Sequence, residues 1–229
     1  MLTKLFIQSE AAYRRLSITQ WLLLSCGFSA LLLCARIAVT GERTYVFLLW
    51  NLFLAFVPYF ISQWLSGRPK YIGNKTTLVV VLFAWLLFIP NSFYILTDLF
   101  HLHEFDAAPK WFDLLLIFSF AWNGLLLGIL SVRTIEGILT GTIGRGYSLI
   151  LVFVVMWLNA FGVYIGRYLR YNSWDVIAQP FSLFTELTEI LLHPFRNKME
   201  WGMITMYAVF MTIIYMSVRK AGDTLSKTD

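Results

Sequence analysis

Six stretches of this chain run for about twenty residues each with almost no charge, matching the ~20 apolar residues a helix needs to cross a bilayer core. They lie at about 18–39, 44–65, 77–97, 111–132, 147–168 and 201–218. In lipid every backbone N–H and C=O must be satisfied within the protein, and a helix does this locally. The pattern therefore predicts an all-α fold, an integral membrane bundle of six transmembrane helices. Charged residues are 14% of the chain, against about 25% in soluble domains, which excludes an ordinary soluble protein. The net charge of +5 comes from short basic loops and is no nucleic-acid signal. Cys26 and Cys34 lie inside the first span and read as buried thiols rather than a disulfide. That span has no small-residue cleavage site after it and reads as retained, not as a signal peptide. With no internal repeat or low-complexity tract, residues 1–229 read as one membrane domain.

Lysine and arginine set the expected orientation. One side collects Lys4, Arg14, Arg15, Arg68, Lys70, Lys75, Arg133, Arg145, Arg219, Lys220 and Lys227, eleven in all. The other has seven: Arg36, Arg43, Lys110, Arg167, Arg170, Arg196 and Lys198. The richer side is cytoplasmic by this rule, which puts both termini inside. All three histidines and nine of the thirteen acids fall on or near the outer side.

The most unusual stretch is "IPNSFYILTDLFHLHEF", from Ile89 to Phe105, at the exit of the third span. Pro90 lacks an N–H and crowds the preceding turn, so it is expected to kink or end the helix. Asn91 can cap a helix that restarts there. Asn91, Tyr94, Asp98 and His101 then follow at spacings of three, four and three, a stripe about 80° wide. An amide, a phenol, a carboxylate and an imidazole would stand in one column, with Asp98 and His101 able to touch one object. The alternative is that Asn91 only repairs the kink and that the rest is interface polarity. His103, Glu104 and Asp106 read as a solvated loop.

A second constellation, "GVYIGRYLRYNSWD", closes the fifth span. Gly162 and Gly166 form a small-xxx-small pair that admits a neighbouring helix. Asn159, Gly162, Gly166 and Arg170 share a face, with Arg167 at its margin. Both arginines suit a carboxylate or phosphate, and Asn172 and Asp175 follow as polar partners. The alternatives are that they fasten helices by pairing with Asp98 or Asp113, or that they reach lipid phosphate. Asn51 and Asn159 sit in the outer halves of their spans and should face the bundle, because an unpartnered amide in lipid is costly. Gly124 and Gly128 form a further small pair, and Pro58 is a candidate kink in the second span. Between the fifth and sixth spans, "QPFSLFTELTEILLHPF" predicts an amphipathic surface helix over about 180–193. Its apolar stripe is Phe181, Phe184, Leu187, Leu191 and Ile190, with Glu186 and Glu189 opposite.

Taken in order, "LLWNLFLAFVP", "PNSFYILTDLFHL", "WFDLLL" and "GRYLRYNSWD" resemble a bacterial membrane family catalogued only as a domain of unknown function (thirteen-sixty-one). The resemblance implies a fold class and a set of positions, and no mechanism.

Three functions fit these residues. The first is a membrane-embedded hydrolase or transferase acting at the outer leaflet on a lipid-like or phosphate-bearing substrate. In it Asp98, His101 and Tyr94 would be catalytic, and Asn51, Asn91, Arg167, Arg170, Asn172 and Asp175 would bind substrate. A divalent metal on Asp98, His101 and Asp113 is an option, since carboxylate and imidazole suit zinc or manganese. The second is a small transporter component and the third a non-catalytic assembly subunit. The expected setting is a bacterial cytoplasmic membrane. The partners are the lipid bilayer and a lipid-like or anionic small molecule, with no nucleic acid and the oligomeric state open.

Overall fold

Ser17 starts the first helix with a capping box: its hydroxyl accepts from Gln20 N at 3.3 Å, and the Gln20 side chain accepts from Ser17 N at 2.8 Å. Helix α1 (Ile18–Thr40) ends at Gly41, whose φ of 73° suits a residue without Cβ. The chain continues as α2 (Phe47–Ser66), a short α3 (Pro69–Ile72) and α4 (Lys75–Tyr94), which extends as a 3-10 helix over Ile95–His103. Then follow α5 (Lys110–Ile143), α6 (Arg145–Tyr164) with a π-helical turn at Ile165–Leu169, α7 (Asp175–Ala178), α8 (Pro180–Leu192) and α9 (Lys198–Leu225). The computed structural model describes residues 17–103, 107–171 and 175–225. Among them, six helices are long and apolar enough to cross a membrane: α1, α2, α4 with its extension, α5, α6 with its π turn, and α9. The chain is a multi-pass, all-α membrane protein.

Helix α5 is the central post. Some 67% of its most apolar window is buried, against 22% for α1 and α9. With 34 residues it spans about 51 Å at 1.5 Å per residue, well beyond a ~30 Å hydrocarbon core. The segment expected as a loop after 132 is therefore helix as far as Ile143. Its added turns are pinned to α9 by charge. Arg133 Nη2 donates to Asp223 Oδ1 at 2.6 Å, and Arg219 Nη2 lies 2.9 Å from Glu136 Oε1. The Tyr215 hydroxyl also donates to Glu136.

Neither proline ends its helix. Pro58 and Pro90 both sit inside continuous α-helix, and α4 runs four residues past Pro90 before it tightens. Side chains on neighbouring helices take up polar groups at this depth. The Ser92 hydroxyl donates to Ala55 O at 3.0 Å, and Ser131 Oγ lies 2.9 Å from Pro58 O. Ser131 also accepts from the buried Trp85 Nε1 at 2.8 Å. Ser131→Ala should cost about 1–3 kcal/mol, because it leaves that indole N–H buried without a partner. Thermal unfolding in detergent checks it, and a change under about 0.5 kcal/mol, the size of an ordinary surface substitution, would refute it.

Two expectations are corrected here. Cys34 is exposed rather than buried, and Cys26 is half-buried. The buried residues of α1 are Leu22, Ser29, Leu33 and Arg36, with Cys26 packed partly against the same core, while Cys34 is exposed. The predicted surface helix forms as α8, but its apolar stripe divides. Leu183 and Ile190 face the bundle, while Phe181 is 87% and Phe184 71% exposed. A helix wedged between bundle and lipid needs two apolar faces and one polar face, here carrying Glu186 and Glu189.

Candidate functional site

Two glycine pairs grip the end of α4 from either side. A Cβ on Gly162 would stand 2.6 Å from Pro90 Cγ, and one on Gly166 would stand 3.2 Å from the Tyr94 ring. On the α5 side, a Cβ on Gly124 would come within 2.2 Å of Ile95 Cγ2, and one on Gly128 within 2.9 Å of Ser92 Cβ. Glycine at these four positions lets α5 and α6 close on the Pro90–Ile95 segment. Both small-xxx-small pairs thus serve one purpose, which is to hold the polar exit of α4.

Beyond Tyr94 the helix tightens to 3-10, with Thr97 Oγ1 donating to Tyr94 O at 2.7 Å. At three residues per turn, Asp98 and His101 eclipse one another. The same change of pitch turns them away from Asn91 and Tyr94, widening the stripe from about 80° to about 120°. The polar column therefore splits. Asn91 and Tyr94 face α6, and Asp98 and His101 face the start of α2. There Asn51 Nδ2 donates to the buried Asp98 Oδ2 at 2.7 Å. The Tyr45 hydroxyl donates to His101 O at 3.1 Å, and the Phe47 ring meets the imidazole edge-on at 5.1 Å.

Arg167 comes across from the π turn to His101, with Nη1 3.0 Å from Nε2. A guanidinium only donates, so in this contact Nε2 is the acceptor. The guanidinium also lies 5.2 Å from the Phe100 ring centroid. Among the described residues no carboxylate lies within ion-pair distance of Arg167.

Beside this cluster a cleft of about 300 Å3 opens between α2 and α6, with α4 as its floor. Asn51, Asn91, Tyr94 and Tyr171 line its polar part. Leu54, Leu86, Leu87, Leu158 and Phe161 line the apolar part, and Leu183 of α8 closes one end. At its rim Trp50 is 53% and Leu158 45% exposed, so the cleft faces the surrounding lipid. Tyr171 and α8 are linked by the tyrosine hydroxyl, which donates to Glu186 Oε1 at 3.2 Å.

The residues singled out from sequence divide accordingly. Asn51, Asp98, His101 and Arg167 come together; Asn91 and Tyr94 line the adjoining cleft, with Asn91 Nδ2 donating to Phe88 O at 2.9 Å. Arg170 does not follow the Gly162–Gly166 face. The π turn loses helical phase, and Arg170 ends it exposed, at φ 59°. Asp175 is buried at the start of α7 and does not line the cleft. Asn172 lies outside the described residues.

Asp113 belongs to another contact. Arg36 Nε donates to its Oδ1 at 2.7 Å and Nη2 to its Oδ2 at 3.3 Å, with both side chains buried. The three residues suggested for a metal are thus not gathered. Among the described residues no group of three His, Cys, Asp or Glu side chains is placed to hold one. Sequence reasoning counted Arg36 only among the basic residues of the outer side and missed this pair, although an arginine closing an apolar span was a visible signal. It also missed Tyr171, which lies inside the "GRYLRYNSWD" stretch.

A family model described as Protein of unknown function (DUF1361) matches residues 50–215, which include the cleft and its polar cluster. No curated protein and no solved structure matches the chain.

Proposed function

The chain belongs to this family of unknown function, and we propose that its cleft takes an anionic amphipathic molecule sideways from the bilayer and positions its headgroup for hydrolysis or transfer. The observation that carries this reading is Arg167, a half-buried cation held by an imidazole and an aromatic ring, with no carboxylate among the described residues within ion-pair distance. A guanidinium left in that state is matched by a phosphate or carboxylate arriving from outside. The apolar half of the cleft gives an alkyl chain a place beside it, and its volume is at the small end of ligand pockets, about 300–1,000 Å3.

The chemistry follows from what the anion displaces. When it takes Arg167, His101 Nε2 is released from the guanidinium. It can then accept a proton from an attacking hydroxyl and return it to the leaving oxygen. Asp98, fixed by Asn51, steadies the imidazolium formed between those steps. Tyr94 and Asn91 offer hydrogen bonds to the headgroup from the cleft floor. By the bias of basic residues this end faces away from the cytoplasm. Burial of Arg36 against Asp113 takes one residue from the poorer side, so eleven to seven becomes eleven to six. A bacterial cytoplasmic membrane is the setting this topology fits.

Hexadecyl phosphate binding to the protein in zwitterionic nanodiscs tests the reading. Loss of a charge-assisted contact worth about 1.5–3 kcal/mol should weaken Arg167→Gln about tenfold to a hundredfold. Hexadecanol should bind both forms alike. Equal affinity of wild type and variant for the phosphate would refute it.

A further inference from the structure

The opposite end of the bundle carries a second apolar groove, between α2 and α4. Phe60, Ile61 and Trp64 of α2 and Val80, Val81 and Ala84 of α4 line its roughly 360 Å3. It is open along its length, with Phe60 63% and Val80 62% exposed. At its end stands an ordered stack. The rings of Trp64 and Tyr71 lie 5.2 Å apart and 13° from parallel. The Arg68 guanidinium sits 4.4 Å from the Trp64 ring centroid and donates through Nη1 to Trp64 O at 3.2 Å.

The chain between the two helices, residues 66–76, contains Arg68, Lys70 and Lys75 and no acid. Among the described residues no carboxylate pairs with Arg68. One molecule that fits here matches both an exposed apolar groove and, at its end, a cation cluster without a carboxylate partner among the described residues. A neutral partner helix would cover the groove and leave the cations unmatched. A free phosphate would match the cations and leave the groove empty.

We propose that this groove is a binding site for one anionic phospholipid, with an acyl chain along the α2–α4 seam and its phosphate on Arg68 and the neighbouring lysines. The aromatic face holds the guanidinium in place while leaving donors free for the headgroup. Trp64 supplies the amphipathic ring favoured at the level of lipid headgroups. Juxtamembrane basic residues draw anionic lipid by the same electrostatics. The site is separate from the α2–α6 cleft and does not depend on the reading of that cleft.

Trp64 reports on the site directly. The full chain is placed in zwitterionic nanodiscs containing a small fraction of phosphatidylglycerol with brominated acyl chains. Phosphatidylcholine with the same chains is the comparison. The part of the tryptophan quenching removed by Trp64→Phe belongs to the groove. That part should be several-fold larger for phosphatidylglycerol. Arg68→Gln with Lys70→Gln should abolish the preference, and so should 1 M salt, where the screening length falls to about 3 Å. Equal quenching by the two lipids would mean ordinary bilayer contact and would overturn the proposal. So would a preference that survives both the double variant and high salt.

Discussion

Arg36→Leu should destabilise the protein by about 3–5 kcal/mol, the cost of leaving one member of a buried ion pair without its partner. Arg36 and Asp113 are 1% exposed, and the bond between them is two-pronged. The guanidinium also lies over Tyr45, 4.4 Å from the ring centroid, and donates to Thr44 Oγ1 at 2.9 Å. It ties α1 to the start of α5 and to the turn before α2. Asp113→Leu should cost a similar amount. The double variant should recover much of the loss, since replacing both charges by apolar groups strands neither. Denaturant unfolding in mixed micelles measures all three. A single variant that loses less than about 1 kcal/mol, the range of exposed pairs, would show that water reaches the pair.

The second large effect concerns the glycines around α4. Gly124→Val and Gly162→Val each put a side chain where Ile95 or Pro90 already stands. Each should cost about 1–3 kcal/mol through overpacking. Together they act on opposite flanks of one short segment, so their effects should exceed the sum, as expected of sites that share a partner. Displacing α4 also moves Asp98 away from Asn51, so hexadecyl phosphate binding should fall with stability. Gly137→Ala and Gly202→Ala are the controls. Each lies within a helix with nothing within 4 Å of the added Cβ, and alanine there should be neutral or stabilise by up to about 1 kcal/mol. Thermal unfolding of the four variants decides it. Comparable losses at control and gripping positions would mean that helix propensity, not close approach, sets the glycine requirement.

The six spans, the all-α class and the extra helix between the fifth and sixth spans were legible from residue order alone. Hydrocarbon forbids unsatisfied backbone, and that rule acts on local composition. For the same reason Asn51, Asp98, His101 and Arg167 stood out, since polar groups near the core of a membrane bundle are too costly to be incidental. How those groups pair depended on helical pitch, which composition does not encode. A 3-10 turn after Tyr94 carried Asp98 toward Asn51, and a π turn after Tyr164 brought Arg167 in and put Arg170 out. Each shift is a small angular change whose sign is set by tertiary packing against α5 and α6. Asp113 shows the same limit, because its partner lies 77 residues earlier on a helix whose register only packing could settle. Sequence alone determined which groups must avoid lipid, since that cost is local; only the tertiary structure decided which of them meet, since that depends on distances between helices far apart in the chain.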